Sequence, residues 1–453
     1  MTNFLKNKYW LIQKFLIIFF ATIICSCSSD ETYDKSKASS IFSKENILQI
    51  DEDLASSKIN LSQQIKNFSW NFYNSDNIGI ENFYFESSSK ESFFSKKSFL
   101  DDYKKIWSGY IGSRDFVYEP IIVDERIYAL DATGNLFCFD LKNKEQIYKK
   151  RIFKRKFIKN YQNPRIGYYN KKIYAIAGTN EIKAINSIDG EIIWTKKILS
   201  LPSSTPVADD KLVFLSTSDN KTYALDSQNG SLVWVVSAVP KPTAILGSSK
   251  SIIHEEIVFA FYSSGEIYAI RKNNGDIMWS KDLNLNKAVG SDFYLNDIDS
   301  NSAVKNNILY TIGNGGLMMA IDIKTGNYLW KKEIASTSDI FLSSGFVFVI
   351  DNNNNLICLS QKNGAIKYIK KLPDYKNKKN PESKIIYNGL VIAGDKIIAS
   401  DMLGRLIIIN PNNGNVEENF KTNQKIFHSP IIVNGKIYLH TIGKFVVNLY
   451  EIW

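Results

Sequence analysis

Apolar and polar residues alternate with a period of two along most of the chain. Clear cases are Lys172–Gly178 (KIYAIAG), Lys211–Ser218 (KLVFLSTS), Glu256–Ser264 (EIVFAFYSS), Phe346–Asn352 (FVFVIDN) and Lys396–Met402 (KIIASDM). Such alternation predicts strands; a helical repeat would need apolar residues at three-and-four spacing. Each stretch is followed, across an Asn/Asp/Gly/Ser turn, by an aliphatic-x-Ala-aliphatic strand: IKAIN at Ile182, TYALD at Thr222, IYAIR at Ile267 and MMAID at Met318, with weaker copies at Leu136, Leu356 and Leu406. A second turn then leads into Gly-x-x-x-Trp, as in Gly190–Trp194, Gly230–Trp234, Gly275–Trp279 and Gly326–Trp330. With a short segment ahead of them, such as STPVADD or HSPIIVN, these make units of four short strands separated by turns.

The aromatic slot recurs at Trp107, Tyr148, Trp194, Trp234, Trp279, Trp330, Tyr368 and, with a carboxylate instead, Glu418, at intervals of 38 to 51 residues. That is the length of a propeller blade. The last unit ends after three strands, and the missing outer strand with its Trp is found at Lys104–Gly112. The pattern therefore predicts an all-β protein: an eight-bladed β-propeller of four-stranded antiparallel blades, closed by an N-terminal strand, which removes the free edges of an open array. Trp107, Trp194, Trp234, Trp279 and Trp330 are expected to dock neighbouring blades, each preceding Gly to sit in a turn of positive φ. Weaker packing is expected at Tyr368 and Glu418.

The first residues change the picture. A basic stretch and an apolar run of ten, Phe15–Ile24, are too short to span a bilayer and suit a signal peptide over 1–26. Ile24-Cys25-Ser26-Cys27 resembles a bacterial lipobox, which implies cleavage before Cys27 and acylation of that residue. Ser28 rather than Asp after it implies, by the same resemblance, outer-membrane anchoring with the protein facing the periplasm. Residues 27–59 are polar and Ser-rich and read as a flexible tether. The propeller is expected over 60–453, with 60–106 as its lead-in and the closing strand at 104–112.

Composition then excludes several classes. The net charge of +10 falls to +7 once Lys6, Lys8 and Lys14 of the leader are subtracted. No stripe of Lys and Arg beside aromatics marks a nucleic-acid surface. Three histidines, His254, His428 and His440, and four cysteines without metal-ligand spacing leave little for a zinc or nucleophile site. Cys138 and Cys358 occupy the slot that is Ala184, Ala224, Ala269 and Ala320 elsewhere. They are expected to be buried thiols in blades too far apart for a bridge. Asp351–Asn355 (DNNNN) offers oxygen ligands but fills a turn slot.

The fullest repeat, Ala320 to Trp330, resembles the pyrroloquinoline-quinone-type propeller repeat, which implies either a quinoprotein dehydrogenase or a non-enzymatic lipoprotein. The order of Ser69–Phe83 (SWNFYNSDNIGIENF), KIWSGYIGS, EPIIVDERIYALDATGNLFCFD, Ala244–Trp279 and the unit opening at Asp297 resembles the BamB family of outer-membrane β-barrel assembly lipoproteins. That resemblance implies a scaffold without catalysis or cofactor, docking on the barrel-inserting, BamA-like subunit and within reach of unfolded outer-membrane proteins. It places the partner surface at Pro242–Gly247, with Thr243, Ile245 and Leu246, and at Asp297 to Asp299. Leu246 stands where family members place a basic residue, so apolar contact by Ile245 and Leu246 replaces a charge pair with Asp297 or Asp299 as the expected anchor. The alternatives are a dehydrogenase acting at a calcium-held quinone on the ring axis, and a propeller binding peptide or peptidoglycan.

Overall fold

The computed structural model describes residues 48–71, 82–85, 104–110, 119–154, 164–238, 249–283, 300–376, 384–422, 424–443 and 446–452. The leader, Cys27 and residues 27–47 of the expected tether lie outside them, as do the partner-surface residues Thr243, Ile245, Leu246, Asp297 and Asp299.

Eight antiparallel sheets follow one another around a ring. Within each blade the strands run A to D from the axis to the rim. Blade 1 runs from Ile121–Val123 to Gln146–Arg151, blade 2 from Arg165–Tyr169 to Ile192–Lys197, and blade 3 from Val207–Ala208 to Leu232–Ser237. Blade 4 spans Ile252–His254 to Ile277–Asp282, blade 5 Ala303–Lys305 to Tyr328–Lys332, blade 6 Phe341–Ser343 to Ile366–Lys371, and blade 7 Tyr387–Ala393 to Val416–Lys421.

Blade 8 is built from both regions the sequence predicted. Ile431–Val433, Lys436–Gly443 and Val446–Ile452 supply its inner strands, and Lys104–Tyr110 pairs antiparallel with Val446–Ile452 as its rim strand. Trp107 follows a bulge and lies opposite Leu449, which pairs in turn with His440.

The A–B hairpins turn tightly, with pairs such as Asp124–Glu125, Asn170–Lys171 and Asn306–Asn307 both at positive φ, the geometry whose twist matches the flanking strands. Because strands alternate in direction, the A–B and C–D turns share one face of the ring. The B–C turns and the D-to-A connections share the other. Core side chains lie between adjacent sheets, in clusters that join blades 4 and 5, 5 and 6, and 6 and 7.

The end of the expected tether is packed rather than extended and free. Residues 48–71 cross the A–B turn face, touching blades 6, 7, 8, 1 and 2. Ile50 bridges Ile366 of blade 6, and Asp51 caps a short helix, Glu52–Ser56, by accepting from Leu54 N at 2.8 Å. The buried Lys367 ammonium donates to the carbonyls of Leu54, Ala55 and Ser57 at the end of that helix. Ile59 is buried, and its N–H donates to Asn412 of blade 7 at 2.7 Å. Farther on, Asn67 O accepts from Asn434 N of blade 8 at 2.6 Å. Trp70 bridges Ile122 of blade 1, and Asn71 donates to Tyr168 O of blade 2 at 2.8 Å. Composition hid this because the segment's order comes from contacts hundreds of residues away, not from its own periodicity.

Candidate functional site

The recurring aromatic forms one repeated contact between blades. Trp194 Nε1 donates to Ser227 O at 3.2 Å, Trp234 to Lys272 O at 2.8 Å, Trp279 to Ile323 O at 2.9 Å, and Trp330 to Gln361 O at 2.9 Å. Tyr148 and Tyr368 do the same through their hydroxyls, each at 3.0 Å, to Ser187 O and Pro411 O. In every case the acceptor stands three residues before the Gly of the following blade, and that Gly lies against the ring. A Cβ built on Gly230 would fall 2.6 Å from Trp194, and one on Gly326 2.7 Å from Trp279. The motif thus fastens across blades: Gly275 packs on Trp234, while Trp279 packs on Gly326.

A small residue is required one strand inward. Tyr174–Ala184–Trp194, Phe214–Ala224–Trp234, Phe259–Ala269–Trp279 and Tyr310–Ala320–Trp330 are cross-strand rows. The two rings of each row sit with centroids 5.7 to 6.1 Å apart over the alanine. In blades 1 and 6 the smaller Tyr faces a larger Cys, as Cys138–Tyr148 and Cys358–Tyr368. Both thiols are buried and free of disulfides. Burial pushes the Cys138 thiol up to about 11 and the Cys358 thiol further, so neither supplies a thiolate near neutrality.

Tyr368 therefore keeps the full contact, contrary to the weaker packing expected there. Glu418, opposite Ile408, does not provide it. Trp279 is only half-buried although its contact is intact, unlike Trp194, Trp234 and Trp330. On blade 1, the position of the clasp glycine is Lys144, at φ 60. The two seams flanking blade 8 thus lack the Gly–aromatic pair.

The axis carries a polar group that the motifs did not reveal. Glu119, Lys250, Asn301 and Asp339 stand just before the innermost strands of blades 1, 4, 5 and 6. Lys250 Nζ lies 3.8 Å from Glu119; blades 1 and 4 do not adjoin, so this contact crosses the centre of the ring. Glu119 also accepts from Trp70 Nε1 at 2.8 Å, and Trp70 is buried. Asp339 accepts from Asn301 N at 2.8 Å and Nδ2 at 2.9 Å. Burial raises the Asp339 carboxyl above the usual carboxylate range, against the lowering effect of those hydrogen bonds and of Lys250. The signal in the sequence was the placement of single polar residues, each just ahead of an apolar inner strand, which no repeat alignment stresses.

A quinone held by calcium would need oxygen ligands and open space on this axis. Trp70 enters that space, and Glu119 and Asp339 are engaged by Trp70, Lys250 and Asn301, so the residues present do not fit that group. Among the described residues no group of three or more His, Cys, Asp or Glu could hold a metal ion. Asp351 spends its carboxylate inside its own turn, accepting from Asn353 N, Asn355 N and Asn355 Nδ2.

Comparison with known proteins places the chain. A family model described as outer membrane protein assembly factor BamB matches residues 162–370. The outer membrane protein assembly factor BamB of Moranella endobia is 24% identical over 345 residues, covering 74% of this chain and 87% of that protein. The Yersinia pestis protein of the same name is 22% identical, covering 74% and 86%. The crystal structure of BamB from Moraxella catarrhalis superposes with a TM-score of 0.64 at 16% identity, covering 77% of this chain and 99% of that one. The chain is BamB-like. A europium-containing methanol dehydrogenase shares the fold at a TM-score of 0.59 and 13% identity, covering 77% of this chain and 86% of that one. At such identity, both structural likenesses speak to fold alone.

Proposed function

We propose that this BamB-like chain is a non-enzymatic scaffold of outer-membrane β-barrel assembly. It would be held on the outer membrane by a lipid on Cys27, face the periplasm, and dock on the barrel-inserting subunit. The observation that carries the reading is the filled axis. The place where a propeller dehydrogenase would need a funnel is crossed by the Glu119–Lys250 contact and by Trp70, which leaves the connections between blades as the variable surface. Two of these, 243–246 and 297–299, join blade 3 to blade 4 and blade 4 to blade 5. They carry the proposed partner contacts Thr243, Ile245, Leu246, Asp297 and Asp299, with Ile245 and Leu246 as the apolar anchor.

Affinity purification from detergent-solubilised envelopes tests this. The barrel-inserting subunit is expected with the native chain and lost with Leu246→Glu, while the far-ultraviolet spectrum and thermal midpoint stay unchanged. Full recovery with Leu246→Glu would misplace the anchor. No recovery with the native chain would remove the scaffold reading. Dye reduction on adding quinone and calcium would restore the enzyme.

A further inference from the structure

The rim strands of the blades share a feature that blade 6 alone covers with the described part of its own chain. A bulge precedes the slot residue in blades 1 to 7, an aromatic in blades 1 to 6 and Glu418 in blade 7. It leaves the residue just before the slot without a cross-strand partner and turns that side chain outward. The residue is Ile147, Ile193, Val233, Met278 and Leu329 in blades 1 to 5, Lys367 in blade 6 and Glu417 in blade 7. In blade 2, Ile192 and Ile193 are 43% and 45% exposed, whereas the matching Ile366 and Lys367 of blade 6 are each 1% exposed. What covers blade 6 is residues 48–57. Leu48 packs over the Ile366 cluster, Ile50 bridges Ile366 in parallel, Asp51 N donates to Ile366 O at 2.9 Å, and the helix end rests on Lys367.

We propose that the rim of blade 2 is a docking site for an extended segment of another polypeptide, in which two aliphatic residues at alternate positions are followed by acidic ones. Three observations specify that occupant. A rim strand presents unpaired backbone N–H and C=O groups, which an extended peptide satisfies and an apolar surface alone does not. The molecule already uses this mode on blade 6, where Leu48 and Ile50 supply the aliphatic pair and Asp51, Glu52 and Asp53 follow. The order of charge along the two rims is the same: Lys367, Lys370 and Lys371 follow Ile366, and Lys196 and Lys197 follow Ile192 and Ile193. On blade 6 Lys367 meets helix carbonyls and Lys371 pairs with Asp374, whereas Lys196 and Lys197 of blade 2 present their charge to an incoming acidic segment. Blade 2 repeats the apolar-then-basic order of blade 6, yet among the described residues no segment pairs with its outer edge. Lys367 is the exception that fits, because there the bulge residue must meet helix carbonyls.

The test uses the full mature chain in detergent and a fluorescent peptide of residues 46–59, ENILQIDEDLASSK. A photo-crosslinking residue at position 192 is expected to capture the peptide. Ile193→Glu is expected to weaken binding by about tenfold or more, the effect of removing one anchor contact. Blade 7 carries Glu417 at the equivalent place, so the fold accepts a carboxylate there. Lys196→Glu with Lys197→Glu is expected to weaken the native peptide and to spare one whose acidic residues are replaced by lysine. Equal binding of a scrambled peptide, undiminished binding by Ile193→Glu, or capture confined to a crosslinker at position 366 would overturn the proposal. So would self-association that buries position 192 and blocks the peptide, since a second copy would then own the rim. The site shares no residue with 243–246. Peptide binding that persists when envelope purification fails would sink only the scaffold reading, and the converse result would sink only this one.

Discussion

At the scale of single residues, the clasp between blades explains why Gly and Trp recur at fixed spacing. The Gly has two reasons to be Gly. At Gly230 the backbone lies at φ +73, and a Cβ would enter the Trp194 ring face at 2.6 Å. Gly345 has only the first reason, with φ +82 and nothing within 4 Å of a built Cβ. Gly345→Ala is therefore expected to cost about 1 kcal/mol, the penalty of a left-handed alanine. Gly230→Ala should cost about 2 to 4 kcal/mol, since overpacking against a held ring adds to the same penalty. Urea unfolding of the two variants gives the comparison, and equal midpoints would mean that the Trp194 ring yields freely. This level was the most legible in the sequence, because spacing alone exposed the motif. Which Gly meets which Trp was not legible: the pairing runs to the next blade, and only the ring geometry shows it. The Cys–Tyr rows were half legible, as their small-residue slot could be aligned while the matching loss of ring size could not be seen.

At the scale of elements, alternation and turn residues gave the strands of each blade, and the split closing blade followed from counting them. The strap over the A–B turn face was missed. Its residues have no periodicity, and it crosses the ring where the clasp fails. Glu418 and Lys144 break the two seams beside blade 8, and Trp70, Phe83 and Phe85 pack there into one cluster with Ile398 and Leu406 of blade 7, Ile432 and Leu439 of blade 8, and Ile122 of blade 1. Phe83 bridges Ala393, and Phe85 bridges Gly435. The strap thus supplies apolar contact that the clasp supplies elsewhere. Trp70→Ala should destabilise by about 3 to 5 kcal/mol, as for other buried large aromatics. Hydrogen exchange should speed up over 391–408, 426–439 and 121–130 before it changes over 212–226 or 257–271. An even increase around the ring would show that the strap does not act on those seams. The expected partner loops belong to this scale as well; no period marks a loop, so their placement came from resemblance alone.

For the whole molecule, closure is the weak point of any ring made by one chain, because two distant segments must meet. Here Lys104–Tyr110 meets Val446–Ile452, and the same sheet holds His440, buried and stacked on His428 with centroids 5.1 Å apart and planes 7° apart. Burial, and then the charge of His428, holds the His440 imidazole well below its usual range. The folded state therefore keeps His440 neutral at a pH where the unfolded chain, with an ordinary value near 6.5, takes up a proton. Since the unfolded state then binds more protons, stability rises with pH. The contribution is complete above about 6.5 and is lost as the pH falls below it, with a slope of at most about 1.4 kcal/mol per pH unit from this one group. Urea midpoints should accordingly fall between pH 7 and pH 5, and His440→Gln should remove that share of the slope. Protection against exchange over 436–443, taken relative to the intrinsic rate at each pH, should fall with acid earlier than protection over 212–216, because the proton is taken up in the closing sheet. An unchanged slope in His440→Gln would assign the acid sensitivity to groups elsewhere and leave closure independent of pH.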